Sequence, residues 1–319
     1  MCAGIQTIGG GPIVVLAGGT GGAKLARGML DVVGSRLVVI ANTGDDIEIY
    51  GAYVSPDADL VTYTLADRID DRGWGLRDDT FAVMAGMREL GVDVWMHLGD
   101  RDLAFGLERS RALAAGERAT AVQSRIASAL GVGAAVLPMS DAPVRTRVLA
   151  GGRWWPLQEF MIVRRGEGPV QEVDFRHAAA AAPTPEVLAA LADASAIVIG
   201  PSNPVISIGP ILAVPGLADA IRASAAPVVA VSPLVRGAAV KGPTAACLRY
   251  AGHGVDSDGI AATYAGLIDG LVADARATDA PTLETDVELN APESRTRVAE
   301  ATLRFAASLG PTRRRPTSV

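Results

Sequence analysis

Short runs of consecutive apolar residues alternate with segments of helical period along most of this chain. Ile13–Ala17 reads IVVLA, Leu37–Ala41 LVVIA, Val94–Leu98 VWMHL, Ala196–Gly200 AIVIG and Val228–Ser232 VVAVS, with a further candidate at Leu271–Ala275. Runs that are apolar at every position, rather than at alternate ones, belong to strands buried on both faces. Helical patterns fill the intervals at about 23–33, 59–69 and 79–90 and continue to about 130. This alternation predicts an α/β chain built from βαβ units on a parallel sheet. An amphipathic helix is expected over Pro292–Leu309.

The middle of the chain breaks the rhythm. Residues 144–165 (VRTRVLAGGRWWPLQEFMIVRR) predict a hairpin of two β-rich arms around a Gly-Gly turn. The alanines at 178–182 predict a helix start or linker, ended by Pro183 and Pro185. A small inserted subdomain is therefore expected over 132–190, within a core formed by 13–131 and 191–310. Residues 311–319 are expected to be a flexible tail. Ala194–Ala218 contains 25 residues without a charge, long enough to suggest a membrane span, but four prolines and three glycines interrupt it. That punctuation predicts a buried strand followed by a structured loop in a soluble protein.

Composition narrows the function classes. The chain has 319 residues, a net charge of −6 and 49% hydrophobic positions, which excludes a disordered chain. The acidic balance argues against a nucleic-acid partner. Among the cations, 27 are arginine and only two are lysine, Lys24 and Lys241. Two cysteines, Cys2 and Cys247, are too few for a disulfide framework and fit a cytoplasmic setting. The first residues lack a basic segment followed by a long apolar one, so no signal peptide is expected.

Candidate chemistry falls at the ends of the predicted strands. Gly18-Gly19-Thr20-Gly21-Gly22-Ala23-Lys24 links a strand to a helix. Glycines there let the backbone approach a ligand, and amide groups at a helix start favour a phosphate. Lys24 stands where a dinucleotide fingerprint has its third glycine, and Leu25 where a Walker loop has Ser or Thr. We assign phosphate binding to this loop. The second loop, from Asn42-Thr43-Gly44-Asp45-Asp46 to Ser55-Pro56-Asp57-Ala58-Asp59, is acidic. Carboxylates beside a phosphate site suit Mg²⁺, while Asp57 or Asp59 taken singly also suits a helix N-cap. His97-Leu98-Gly99-Asp100-Arg101-Asp102 is open to two readings, a substrate contact or a salt-bridged cap.

Gly200-Pro201-Ser202-Asn203-Pro204 and Ser232–Gly237, running on to Lys241-Gly242-Pro243, complete five predicted strand ends bearing Gly, Asp, Asn, Ser or a cation. Ligands of open α/β sheets bind along that edge. Trp154 and Trp155 are expected to pack, and His177 and His253 have no partner at metal spacing. No nucleophile elbow or Cys/His pair calls for covalent catalysis.

GGTGGAKL, NTGDD, SPDAD, WGLRDDT, LGDRD, GPSNPVISIGPIL and SPLVRGAAVKGP, in this order, resemble the 2-phospho-L-lactate transferase family of coenzyme F-420 biosynthesis. The resemblance spans about Val14 to Leu309. It implies a Rossmann-like parallel sheet core with a small inserted α+β subdomain, a homodimer, and a Mg²⁺-dependent transfer onto the deazaflavin Fo (7,8-didemethyl-8-hydroxy-5-deazariboflavin). The implied donor is a guanosine diphosphate ester carrying a lactyl or enolpyruvyl group, with GMP leaving. The GC-rich composition favours the enolpyruvyl ester expected of actinobacterial members. Within this frame we expect Asp45 and Asp57, the carboxylates beside the phosphate loop, to bind Mg²⁺, with Asp59 orienting or deprotonating the Fo hydroxyl. His97 and Arg101 are expected at Fo. Gly19, Thr20, Gly21, Gly22 and Lys24, together with Gly200, Ser202, Asn203, Arg236 and Lys241, are expected at the donor. Related members carry lysine where this chain has His97, so a role resting on charge does not carry over. A sister branch resembling the gluconeogenesis factor, which binds nucleotide sugars for regulation, is the alternative. An NAD(P)-dependent oxidoreductase is weakened by the missing third glycine.

Overall fold

A computed structural model describes residues 9–240 and 242–310. Its frame is a seven-stranded parallel sheet: β1 (Ile13–Ala17), β2 (Leu37–Ala41), β3 (Ala135–Pro138), β4 (Ala196–Ile199), β5 (Val228–Val231), β6 (Gly270–Ala273) and β7 (Thr282–Glu284). Across the sheet they run β7-β6-β5-β4-β1-β2-β3, with every neighbouring pair parallel. The order reverses between β1 and β4, which is where a doubly wound sheet opens a crevice at its carboxyl edge.

All five residues of β1 are fully buried. Val14 and Leu16 join one apolar layer with Ile40, Ile197 and Ile199, while Ile13, Val15 and Ala17 join the other with Leu37 and Val39. Two buried faces require helices on both sides, and this is why the run shows no alternation. One face carries helix α1 (Gly19–Val33) through Leu25, Ala26 and Met29, helix α2 (Pro56–Leu65) through Ala58 and Val61, and the closing helix Pro292–Leu309 through Val298, Ala299 and Leu303. The closing helix occupies the predicted residues.

One predicted strand is not a strand. Val94–Leu98 runs without regular structure between helices α3 (Ala82–Glu89) and α4 (Asp100–Ala114). Val94, Trp95, Met96 and Leu98 pack instead into a satellite core with Ala52, Val54, Met84 and Leu103. Apolarity over five residues reports burial, not pairing. The third strand is Ala135–Pro138, at the edge of the sheet, inside the span expected to be inserted. Four of the five motif loops therefore leave strands of the main sheet.

The hairpin forms with Gly151 and Gly152 as a two-residue turn, both at positive φ (61° and 73°). Its second arm ends at Pro156, however, and QEFMI continues as helix α5 (Leu157–Ile162). A third strand, Glu172–Arg176, pairs with the other edge of Arg145–Ala150 to make a small antiparallel sheet. Among the described residues no single helix is long and apolar enough to cross a membrane. The uncharged stretch holds β4 and the helical segment Pro204–Ala213, which is bent by 85° from the helix Leu217–Ala223 that begins at its end. Residues 311–319 and Lys241 lie outside the described residues.

Candidate active site

The crevice at the order reversal is a cleft of about 900 Å³. Gly18–Gly21 and Lys24 form one wall, and Pro201, Ser202 and Asn203 the adjoining one. Close packing requires the glycines. A Cβ on Gly21 would stand 2.1 Å from the Pro201 carbonyl oxygen, and one on Gly18 2.7 Å from Asp57 Oδ2. Gly22 lies beneath this loop, where a Cβ would meet Ala17 Cβ at 2.8 Å, and a Cβ on Gly200 would stand 3.3 Å from Gly22 Cα. Neither Gly22 nor Gly200 lines the cleft; both let α1 sit directly on the ends of β1 and β4. Ser202 Oγ accepts a hydrogen bond from the Gly18 amide (3.1 Å), so it braces the loop. Asn203 accepts from the amides of Val205 and Ile206 (2.9 and 3.2 Å), capping the π-helical turn Pro204–Ile208. Lys24 Nζ donates to Asn290 Oδ1 at 2.7 Å, across the cleft entrance.

Two carboxylates face the glycine loop. Asp57 Oδ1 accepts from the Gly19 amide, and its Oδ2 accepts from Asn42 Nδ2 at 2.9 Å. Asp45 Oδ2 accepts from Gln158 Nε2 at 3.0 Å. Burial pushes Asp57 up to about 6 and drives Asp45 well above the carboxylate range, with the charge of Asp57 adding to the effect on Asp45. Asp46, by contrast, turns away from the cleft and accepts hydrogen bonds from Ser55 Oγ (2.6 Å) and the Tyr53 hydroxyl (2.9 Å); burial raises it to about 7. Neither Asp57 nor Asp59 is an N-cap: the cap position is Ser55, followed by Pro56.

Asp59 lines the cleft, yet both its oxygens are held by the buried guanidinium of Arg109, through Nη1 at 3.0 Å and through Nη2. Arg109 also donates to the Tyr53 carbonyl at 3.0 Å and to Gln123 Oε1 at 3.1 Å. Sequence reasoning missed Arg109 and Gln158, which lie 50 and 113 residues from the acids they hold. No local motif announces such partners.

Another part of the cleft lining is rich in apolar side chains, Trp74, Leu76, Trp95, Met96 and Leu98, interspersed with Arg72, Asp79, His97 and Asp102. His97 stacks on Phe81 with ring centroids 4.5 Å apart, and the Arg72 guanidinium lies 5.1 Å from the Phe81 centroid. Burial, with Arg88 and Arg72 nearby, lowers the His97 pKa. The acids around it are largely caps, exchanged between helices. Asp100 accepts from the amides of Ala82 and Val83 (both 3.0 Å) at the start of α3, and Asp79 from those of Arg101 and Asp102 (2.9 and 3.1 Å) at the start of α4.

Arg101 does not line the cleft. Nor does Arg236, which sits at the tip of a small hairpin with its amide bound to Asp274. Arg165, three residues beyond the end of α5, does line it.

The family model of the 2-phospho-L-lactate transferase CofD matches residues 13–304. The chain belongs to this family. A phosphoenolpyruvate transferase of Kitasatospora aureofaciens is 41% identical over 312 residues, covering 91% of this chain and 97% of the relative. A 2-phospho-L-lactate transferase of Methanosarcina mazei is 38% identical over 266 residues, covering 83% and 87%. A crystal structure of a UPF0052 family member from Bacillus halodurans superposes with a TM-score of 0.60 at 17% identity, covering 92% of this chain and 99% of that one, and supports the fold. As a CofD-type transferase of coenzyme F-420 biosynthesis, the chain moves a phospholactyl or enolpyruvyl group onto Fo.

Proposed function

We propose that the donor is enolpyruvyl-diphospho-5′-guanosine and that Mg²⁺ enters with its diphosphate, held by Asp45 and Asp57. The observation that carries this reading is a pair of buried carboxylates directly facing a glycine loop at a helix N-terminus. Two acids at that position repel one another and are costly to ionise unless a cation joins them. A magnesium ion bound to substrate phosphates takes one or two protein carboxylates, which matches this donor set. When bound, the ion neutralises charge on the diphosphate oxygens.

The Gly19 amide is committed to Asp57, so the amides of Thr20 and Gly21 and the ammonium of Lys24 hold the donor diphosphate. The terminal ribityl hydroxyl of Fo attacks the phosphorus bearing the three-carbon acid, forming one P–O bond while the bond to GMP breaks, and the hydroxyl proton passes to Asp59 or to the departing GMP phosphate. Positioning and charge neutralisation carry such a step, and no covalent nucleophile is needed. Asp59 orients the hydroxyl with the lone pairs that Arg109 leaves open. The apolar-rich part of the lining, with the His97–Phe81 stack, takes the deazaflavin ring. Arg165, which faces the cleft where Arg236 does not, is the cation for the donor carboxylate. The protein acts as a homodimer in the cytoplasm, readings that rest on the family resemblance and the scarcity of cysteine.

Purified protein with Fo, Mg²⁺ and each donor tests this. The enolpyruvyl donor should yield GMP and a product lighter by two hydrogens than that from the lactyl donor, and at the higher rate. Full turnover after chelation with EDTA removes the metal assignment. A preference for the lactyl ester reverses the donor choice. Sedimentation velocity reads the oligomer.

A further inference from the structure

Asp102 has no part in the reaction as described. It lies in the first turn of α4, half-buried, and lines the apolar-rich part of the cleft beside Tyr63, Met96, His97 and Leu98. Two contacts fix it. Its amide donates to Asp79 Oδ2 at 3.1 Å, and its Oδ1 accepts from the Tyr63 hydroxyl at 2.7 Å. Oδ2 accepts no hydrogen bond and forms no ion pair among the described residues.

The surroundings make this a costly place for an acid. The neighbouring charges are Asp59 and Asp79, both of like sign, and the nearby cation, Arg109, is committed to Asp59. Burial first, and Asp59 next, push the Asp102 carboxyl up to about 7. In the open cleft water can reach Oδ2, and a ligand that displaces that water must supply the missing hydrogen bond or leave a desolvated polar group unpaired. Rigid placement adds to the case, since Tyr63 belongs to α2, and α2 is joined to α4 a second time by the Asp59–Arg109 pair.

We propose that Asp102, oriented by Tyr63, is an Fo-binding residue whose free Oδ2 accepts a hydrogen bond from the polar edge of the deazaflavin ring. This rests on the reading that the apolar-rich part of the cleft takes that ring. The ribityl chain must reach toward Asp57 and Asp59 for transfer, so the group beside Asp102, among Trp95, Met96 and Leu98, is the ring. It offers two donors, the imide N–H and the 8-hydroxyl. Either would complete a carboxyl that Tyr63 and the start of α4 already hold in place. The site also discriminates: a flat acceptor without a donor on that edge leaves Asp102 unpaired, and unpaired buried polar groups reject analogues strongly.

Asp102→Asn is the informative substitution. The Tyr63 hydroxyl still donates to the side-chain oxygen, which turns the amide NH₂, a donor, toward the ring donor. Calorimetric titration of Fo should show Kd rising about 10-fold or more, with kcat at saturating Fo and the KM for the guanosine donor unchanged. Tyr63→Phe should give a smaller rise in the same direction. Fo methylated at the imide nitrogen, or lacking the 8-hydroxyl, identifies the source: the analogue missing the bonded group should bind wild type weakly and lose little more with Asp102→Asn. An Fo Kd within twofold of wild type in Asp102→Asn overturns the proposal. Equal losses for Fo and the donor, with a fall in Tm, also overturn it by showing a structural role. Failure of wild type to bind Fo at all defeats the functional reading itself, a separate result.

Discussion

Arg109, in the middle of α4, holds both carboxylate oxygens of Asp59, in the first turn of α2, with both side chains almost wholly buried. The pair joins the segment carrying the candidate metal ligands to the segment carrying the Fo part of the cleft. Removing one partner of such a pair leaves a desolvated charge behind. Arg109→Met should therefore lower stability in urea by about 3–5 kcal/mol. Adding Asp59→Asn should recover part of that loss although the double variant has lost two groups. A double variant less stable than Arg109→Met would show that the guanidinium acts chiefly through Tyr53 and Gln123.

Asp45 and Asp57 set function against stability. Their raised pKa values mean that the folded state holds protons the unfolded chain has released, so the ligand-free protein loses stability as pH rises from about 4, the unfolded value, through about 6 for Asp57 and on through the higher range of Asp45. Asp45→Asn removes the like charge beside Asp57. Its Tm without metal should exceed that of wild type by about 2–4 °C at pH 8, with the gain shrinking as pH falls toward about 4, the unfolded carboxylate value. Turnover should fall by about 100-fold or more, as expected when charge stabilisation of a transferring phosphoryl group is lost. Calorimetry across pH and a GMP-release assay check the two halves.

Arg165 is held at φ 57°, an unusual backbone conformation for arginine, at the cleft margin. A guanidinium on the donor carboxylate contributes charge-assisted hydrogen bonds that GDP cannot make. Arg165→Ala should raise the KM for the donor about 10–100-fold while leaving inhibition by GDP unchanged. Equal weakening of donor and GDP would place Arg165 on the phosphates instead.

Gly21 cannot accept a side chain without moving the main chain, because the group in its way is the Pro201 carbonyl oxygen. Gly21→Ala should separate the two loops at the order reversal. A loss of about 1–3 kcal/mol in stability and a weaker affinity for GDP are expected from overpacking there. Thermal-shift titration with GDP checks both, and an unchanged affinity would detach this loop from the phosphate.

By itself the sequence determined the parallel sheet, the closing helix, the glycine loop and the acids beside it. These are local features: a buried strand is apolar at every residue, a βα turn needs glycine, and Asp45 lies close to Asp57 in the chain. It also carried the family, through motifs that are each contiguous. Val94–Leu98 misled because burial in a satellite core and burial in a sheet select the same residues. Only the tertiary structure decided which polar groups meet. Arg109 with Asp59, Gln158 with Asp45, and Tyr63 with Asp102 are pairings across separate elements. Each is fixed by how helices from different parts of the chain pack over the carboxyl edge of the sheet. Hydrogen bonds and ion pairs act over about 3 Å, and distance along the chain says little about which groups packing brings that close.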